Sequence, residues 1–199
     1  MTRSQSDDDK KDEERVKGPG SLTEKLVFKS RFVLVFGEVD HTMARVTCER
    51  LIALAQESDA PIQVLVSSPG GHVESGDAIH DMIRFVRAPV TTIGSGWVAS
   101  AGTHIFLAAP ANRRVCLPNT RFMIHQPAGG AGGPATDIAI QAKEILRTRE
   151  RIARVISRET GKPFDKVLAD MERDFWMNAD EAIAYGIVSR VVETHRDLK

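Results

Sequence analysis

The 199-residue sequence has little cysteine and no net charge. Its two cysteines, Cys48 and Cys116, form neither a CxxC pair nor the ligand pattern of a zinc site. Lysine and arginine number 27, as do aspartate and glutamate. This balance argues against nucleic acid, which needs a basic face, and against attraction to an anionic membrane. We therefore expect neither nucleic acid nor a membrane among the partners.

Long hydrophobic runs are absent as well. No apolar stretch approaches the roughly 18 to 20 residues that a membrane-spanning helix needs. The N-terminus also lacks the apolar centre of a secretory signal. With two unpaired cysteines that are expected to be reduced thiols, these absences predict a cytoplasmic protein.

The first twenty residues, MTRSQSDDDKKDEERVKGPG, are almost all charged or small. Such a segment buries too little apolar surface to offset the entropy lost on ordering, so residues 1–20 are predicted to be a disordered tail. The remainder, residues 21–195, is predicted to form one domain. Its composition supports this, because the chain is 42% apolar and 27% charged, as soluble globular proteins are.

Strand and helix patterns alternate through this domain. Short apolar runs predict strands at residues 31–39, 62–66, 90–93, 114–117, 121–125 and 187–192. Between them we predict a buried helix at 97–109 and a long amphipathic helix at 137–160, which Gly161 ends. Asn178 and Glu181 predict a capping box at a later helix start. This order predicts an α/β fold with a mostly parallel sheet.

Two strand-to-helix junctions carry candidate chemistry. At the first, a strand runs into Pro69-Gly70-Gly71. Glycine allows close backbone approach, and amides at a helix start lack acceptors, so the junction suits a developing oxyanion as well as it suits a plain turn. At the second, Ser100 follows Gly94-Ser95-Gly96 among small residues. It is either a nucleophile at a helix start or a helix serine bonded to a nearby carbonyl.

His125 and Asp174 are the candidate partners of Ser100. His125 ends an apolar strand before a glycine-rich loop, where a side chain either reaches a cleft or simply forms a hydrogen bond. Asp174 precedes Phe175 and Trp176, and burial among them would be costly unless the carboxylate were paired with an imidazole. A serine hydroxyl needs a base, and the base needs an acid that holds its tautomer. The residues alone permit a triad without proving one.

From about residue 33 to residue 193 the sequence resembles the proteolytic subunit of the Clp protease, a family of serine peptidases. The motifs that carry the resemblance are Ser68-Pro69-Gly70-Gly71, Ala99-Ser100, residues 117–127, Gly129-Gly130, residues 135–138, residues 144–146, Arg173-Asp174 and residues 177–182. The resemblance implies an α/β fold of the ClpP/crotonase-like type. This fold is a spiral of β-β-α units with an extended handle, here at about residues 129–151.

The resemblance also implies a role for individual residues. Ser100 matches the family's nucleophile, His125 its general base and Asp174 its orienting acid, while the backbone amides of Gly71 and Ala101 match its oxyanion hole. Substrate contacts are implied for Pro127, Gly129 and Gly130. No metal or cofactor is implied. The function implied is an ATP-dependent type of serine endopeptidase that hydrolyses unfolded polypeptides inside an oligomeric chamber.

The family's assembly consists of two stacked seven-membered rings, which implies a homo-oligomer, and its usual partner is an AAA+ unfoldase. Two departures put that partner in doubt. The segment before Val33 does not resemble the N-terminal region that lines the family's axial pore, and residues 62–65 lack the aromatics of its docking groove. His72 and His104 also depart from the family pattern. One interpretation is that they are polar substitutions without a functional role. The other is that they form the basis of a metal site or an altered pH response.

Two alternative functions stay open. One is a catalytically weak or silent paralogue that serves as a structural ring subunit, although the presence of all three triad residues argues against it. The other is a crotonase-like acyl-CoA enzyme, because that superfamily also uses glycine-rich oxyanion amides on a similar fold. The spacing of Ser100, His125 and Asp174 argues against this second alternative.

Overall fold

The computed structural model describes residues 20–130 and 132–198, so the predicted tail, apart from Gly20, lies outside the described residues. The helices are α1 (Gly20–Lys29), α2 (His41–Glu57), α3 (Val73–Phe85), α4 (Ala101–Phe106), α5 (Ala135–Thr160), α6 (Phe164–Asp170) and α7 (Ala179–Tyr185). The strands are β1 (Phe32–Val39), β2 (Ile62–Gly71), β3 (Val90–Ala99), β4 (Arg114–Cys116), β5 (Arg121–Ile124), β6 (Phe175–Met177) and β7 (Arg190–Val191). This alternation confirms the predicted α/β class.

Strand β3 is the point at which the sheet branches. Strands β1, β2, β3, β4 and β7 lie side by side in that order and pair in parallel. The first half of β3 pairs with β4, whereas its second half, from Trp97 to Ala99, pairs in parallel with β5. Strand β6 then pairs with β5 in the antiparallel sense. The branch therefore opens immediately before Ser100.

Two strands extend further than the sequence predicts. Strand β2 continues beyond Val66 to Gly71, and β3 continues to Ala99. The predicted helix at 97–109 is therefore wrong over residues 97–99, and α4 is only six residues long. A run of only three apolar residues is too short for its periodicity to distinguish a strand from a helix, which explains the error. The last strand is also shorter than predicted.

Helix α5 has an exposed half and a packed half. All side chains from residue 135 to residue 144 are exposed, whereas Ala153 and Ile156 are buried against the domain. The helix ends at Gly161, whose φ of 73° confirms the predicted left-handed cap. The predicted capping box of Asn178 and Glu181 is also present at the start of α7. The exposed half of α5 coincides with the predicted handle.

The core lies between the sheet and helices α2 to α4. Alternate residues of β1 and β2 point inward, so that Val33, Val35, Val64 and Val66 are fully buried. A buried arginine joins β4 to the packed half of α5. Arg114 donates from Nε to the Ala109 carbonyl at 2.7 Å and pairs with the carboxylate of Glu159. This contact ties the C-terminal half of α5 to the sheet.

Candidate active site

The strand register brings Ser100, His125 and Asp174 together. In the parallel pair of β3 and β5, Ala99 lies opposite Met123, and Ser100 follows at the end of β3. In the antiparallel pair of β5 and β6, Ile124 lies opposite Phe175. The next opposed positions are His125 and Asp174. The two pairings thus bring three distant parts of the chain to one end of β5.

The three side chains form a hydrogen-bonded chain. His125 Nε2 lies 2.8 Å from Ser100 Oγ, and His125 Nδ1 lies 2.9 Å from Asp174 Oδ1. A carboxylate accepts a hydrogen bond, so Nδ1 carries the hydrogen and Nε2 of the neutral ring presents a lone pair to the serine hydroxyl. The Asp174 side chain is 61% exposed, so it does not bear the cost of burial among the adjacent aromatics. The expected pairing with an imidazole is nevertheless present.

Ser100 has an unusual backbone conformation. Its φ of 54° and ψ of −121° are in a region that residues with a Cβ rarely adopt. The conformation is fixed from both sides, because the Ser100 amide donates to the Met123 carbonyl at 2.9 Å and the Ser100 carbonyl accepts from the His104 amide at 3.1 Å. Strained residues of this kind cluster at functional sites. The turn directs the hydroxyl away from the sheet and toward His125.

The glycine junction at the end of β2 contacts the serine junction directly. A Cβ added to Gly70 would lie 2.6 Å from Ser100 Cβ and 3.0 Å from the Ala101 nitrogen. A Cβ on Gly71 would lie 2.4 Å from the Val39 carbonyl oxygen. Both glycines therefore occupy positions that no other residue fits, and the sequence pattern had identified them. Gly70, which is the closer to the serine, was not among the predicted site residues.

A largely aliphatic cavity opens beside Ser100. It is small, with a volume of about 30 Å³, which is room for roughly two water molecules. The predicted residues Ala101 and Pro127 both line it. The aliphatic side chains of Val73, Ile124, Ile152 and Ile156 complete its wall. These four residues were not predicted as site residues, although the i, i+4 spacing of Ile152 and Ile156 marked the apolar side of α5.

A wider cleft runs between the glycine junction and the exposed half of α5. Gly71, Pro127, Gly129 and Gly130 line one side of it, and residues of α5 such as Ile145 line the other. Within the described part of the chain, the backbone of residues 127–130 forms no hydrogen bond. The segment therefore offers free backbone donors and acceptors to this cleft.

The two unusual histidines have separate structural roles. His72 caps α3, because its Nδ1 accepts a hydrogen bond from the Ser75 amide at 3.2 Å. His104 is buried one turn beyond Ser100, and its Nε2 lies 2.9 Å from Asp77 Oδ1. Burial alone would raise the pKa of Asp77, but hydrogen bonds from His104 and Arg151 hold that pKa well below its usual range. A charged carboxylate therefore lies directly behind the His104 ring.

Three other features bear on the chemistry available to the chain. Burial raises the pKa of the Cys116 thiol to about 11, so Cys116 is not a thiolate nucleophile at neutral pH.

Within residues 20–130 and 132–198, no group of three or more histidine, cysteine and acidic side chains is placed to hold a metal. None of the described helices is both long enough and apolar enough to cross a membrane.

An α/β fold that presents serine, histidine and aspartate in one hydrogen-bonded chain defines the class of serine hydrolases. Comparison with known proteins narrows this class. The profile of the Clp protease family matches residues 20–195. The ATP-dependent Clp protease proteolytic subunit 3 of Rhizobium meliloti is 53% identical over 186 residues, which is 93% of this chain and 95% of the relative. Subunit 2 of Gluconobacter oxydans is 54% identical over 94% of this chain and 85% of its own.

Solved structures agree with this assignment. ClpP1 from Listeria monocytogenes superposes with a TM-score of 0.81 at 46% identity, over 89% of this chain and 99% of its own. A point mutant of the same protein superposes with a TM-score of 0.84. The chain belongs to the Clp protease family, as a proteolytic subunit and serine peptidase. The predicted family and fold are confirmed, and the acyl-CoA alternative loses its support.

Proposed function

We propose that Ser100 is the nucleophile, His125 the general base and Asp174 the orienting acid of this peptidase. The observation that carries the proposal is the chain of hydrogen bonds of 2.8 Å and 2.9 Å through His125. We also propose that the backbone amides of Gly71 and Ala101 form the oxyanion hole. Ala101 supports this role, because it is the first residue of α4 and its amide lacks an acceptor within the helix.

The reaction follows from these positions. His125 Nε2 takes the proton of the Ser100 hydroxyl while Oγ attacks the scissile carbonyl, and the resulting oxyanion accepts hydrogen bonds from the two amides. His125 then donates its proton to the leaving amine, which departs with the C-terminal part of the substrate. Water, deprotonated by the same histidine, hydrolyses the acyl-enzyme. Asp174 holds the tautomer and stabilises the imidazolium throughout.

We propose that the substrate is an unfolded polypeptide that binds in an extended conformation. Residues 127–130 offer unpaired backbone along the wider cleft, which suits the addition of a peptide as an extra strand. The cavity beside Ser100 then receives the P1 side chain, the one on the acyl side of the scissile bond. Gly129, Gly130 and Pro127 would therefore contact substrate mainly through the backbone, which leaves most sequence preference to the P1 cavity.

A fluorophosphonate probe tests the triad directly. We expect the assembled wild-type protein to be labelled and Ser100→Ala to remain unlabelled. Ser95→Ala is the matched control, since Ser95 lies on the same strand outside the site, and it should be labelled like the wild type. A wild-type protein that resists labelling would overturn the active-enzyme proposal and support the silent-paralogue alternative.

We propose that the chain assembles as two stacked seven-membered rings joined through α5. The exposed half of this helix supports a contact role, because Ile138, Ile140 and Leu146 are 41%, 57% and 59% exposed. Light scattering after size-exclusion chromatography should give fourteen times the monomer mass. Leu146→Asp should shift this mass toward single rings or monomers, whereas Lys143→Asp, at another exposed position of the same helix, should perturb it less. A monomeric wild type at micromolar concentration would contradict the assembly.

An AAA+ unfoldase and a cytoplasmic location complete the proposal. The curated relatives carry the term ATP-dependent in their names, which favours a partner that uses ATP. Degradation of a folded, tagged substrate should require both ATP and the unfoldase. If a folded substrate were degraded without either, the partner would be unnecessary.

A further inference from the structure

One polar side chain interrupts the aliphatic wall of the P1 cavity. Apart from Ser100 and His125, His104 is the only described residue lining this cavity that has a polar side chain. It lies on α4, one turn beyond Ser100, and its ring is 7% exposed. A hydrocarbon side chain would satisfy the same packing position. The imidazole therefore needs an explanation beyond filling space.

The ring of His104 is held in one orientation. Its Nε2 is bonded to Asp77 Oδ1 at 2.9 Å, and Arg151 donates to the same carboxylate oxygen at 2.6 Å. The ring of His80 stacks on it, with centroids 4.4 Å apart and an interplanar angle of 17°. His80 Nδ1 in turn donates to the His104 carbonyl at 2.8 Å. These contacts come from α3 and α5 and leave the imidazole little freedom to rotate.

The same contacts fix which nitrogen of His104 carries the hydrogen. The Asp77 carboxylate accepts, so Nε2 is the donor, and Nδ1 of the neutral ring keeps a lone pair. Nδ1 is buried and has no hydrogen-bond partner among the described residues. Buried polar atoms in folded proteins almost always have a partner, and an unsatisfied one costs about 1–3 kcal/mol. A pre-oriented acceptor without a partner thus lies on a residue that lines the P1 cavity.

We propose that His104 is a specificity-determining residue that accepts a hydrogen bond from the P1 side chain. The substrates favoured are those whose P1 residue has an apolar stem and a neutral hydrogen-bond donor at its end, such as glutamine or tyrosine. The stem packs against Val73, Ile124 and Ile156, and the donor satisfies Nδ1. The inference rests on the proposed peptidase function, which supplies the identity of the cavity.

Matched pairs of substrates test the inference. Fluorogenic peptides that differ only at P1, glutamine against methionine and tyrosine against phenylalanine, give a donor-to-hydrocarbon ratio of kcat/KM. We expect His104→Phe to lower this ratio by about three- to tenfold, the range of one neutral hydrogen bond. His195→Phe is the control, because His195 lies in the C-terminal 3-10 helix. The donor-to-hydrocarbon ratio of this variant should equal that of the wild type.

Two further variants separate hydrogen bonding to substrate from anchoring by Asp77. His104→Asn presents an amide oxygen near the position of Nδ1 but loses the bond to Asp77, and it should retain part of the preference. His104→Gln keeps a donor near Nε2 and loses the acceptor near Nδ1, so its ratio should fall as in His104→Phe. Equal ratios in the Asn and Gln variants would show that the acceptor itself is not recognised.

A binding measurement keeps this inference separate from the proposed function. Product-like peptides that end in glutamine or methionine are titrated into Ser100→Ala and into the double variant with His104→Phe. Tighter binding of the glutamine peptide, lost in the double variant, would support the inference even if turnover were absent. An unchanged preference in both kcat/KM and Kd would overturn it. Absent turnover alone would overturn only the proposed function.

Discussion

The two strand-to-helix junctions of the site solve one geometric problem in different ways. Both strands must turn sharply into a helix, and both backbones adopt positive φ. At the end of β2 the turn uses glycines, with φ of 98° at Gly70 and 147° at Gly71. At the end of β3 it uses Ser100, with φ of 54°. Glycine adopts such angles without steric penalty, whereas a residue with a Cβ is strained by about 1–2 kcal/mol.

The two junctions meet different requirements. The first must leave space for Ser100, and the second must carry a side chain. The glycine junction lies so close to Ser100 that a Cβ on Gly70 would overlap it. The serine junction retains its Cβ despite the strain, because the hydroxyl must stand at the end of β3. The surrounding structure compensates by fixing the amide of Ser100 to Met123 and its carbonyl to His104. A strained side chain beside an obligatory glycine therefore marks the chemical centre of the fold.

The largest expected effect comes from Ser100. Ser100→Ala and Ser100→Gly should each lower kcat/KM by about 10⁴- to 10⁶-fold, as loss of the nucleophile does in other serine proteases. Only glycine relieves the strain. Ser100→Gly should therefore be at least as stable to urea as Ser100→Ala, although glycine usually costs about 0.5–1 kcal/mol relative to alanine. A clearly less stable Gly variant would contradict the strain at this junction.

Asp174 is expected to have the next largest effect. Asp174→Asn keeps the shape but allows the wrong tautomer of His125, which should lower kcat by about 10²- to 10⁴-fold with little change in stability. Because the carboxylate is largely exposed, we expect the lower part of that range. Asp180→Asn, at an exposed acid in the first turn of α7, is the matched control. Equal activity of the two variants would remove Asp174 from the triad.

Gly70→Ala tests the space that the first junction must leave free. Its Cβ would lie 2.9 Å from the Ala99 carbonyl oxygen and 2.6 Å from Ser100 Cβ, so the nucleophile must shift. We expect kcat/KM to fall by about 10²-fold or more, because a shift of 1 Å can cost that much. Gly37→Ala is the control, since Gly37 has a φ of 85° with nothing within 4 Å of an added Cβ. It should lose about 1 kcal/mol of stability and no activity.

The sequence predicted the parts of the site that depend on local pattern. Glycines at the end of a strand, and a histidine followed by a glycine-rich loop, can be recognised without coordinates. The resemblance to a family then assigned their roles. The exposure of Asp174 could not be predicted, because adjacent aromatics show which residues are close in sequence and not which face of a strand is covered. Strand β6 leaves this carboxylate largely in solvent.

The charged cluster behind the P1 cavity was not predicted at all. Asp77, His80, His104 and Arg151 come from three helices, and no spacing in the sequence relates them. In the sequence, His104 stands out only as a departure from the family pattern. Their contacts depend on how α3, α4 and α5 pack, which is a property of the tertiary structure. Long-range polar contacts of this kind have no local signal that a pattern could reveal.

This cluster also joins α3 and α4, the helices that follow the two junctions. Titration of His80 within the cluster has the smallest of the predicted effects. Burial lowers the pKa of His80 to about 4 from an ordinary 6.5. Between pH 6.5 and pH 4 the unfolded chain binds a proton that the folded chain does not, so stability falls as the pH falls. The expected loss is about 3 kcal/mol across that window.

Urea unfolding at a series of pH values measures this effect. His80→Phe keeps an aromatic ring against His104 but cannot titrate, so its stability should fall less between pH 6.5 and pH 4 than that of the wild type. His195→Phe should retain the wild-type slope. The depressed pKa of Asp77 adds its own loss mainly below the ordinary value of 3.8, so it contributes little within the window. Equal slopes in the wild type and His80→Phe would mean that the folded protein does not hold His80 neutral in this pH window.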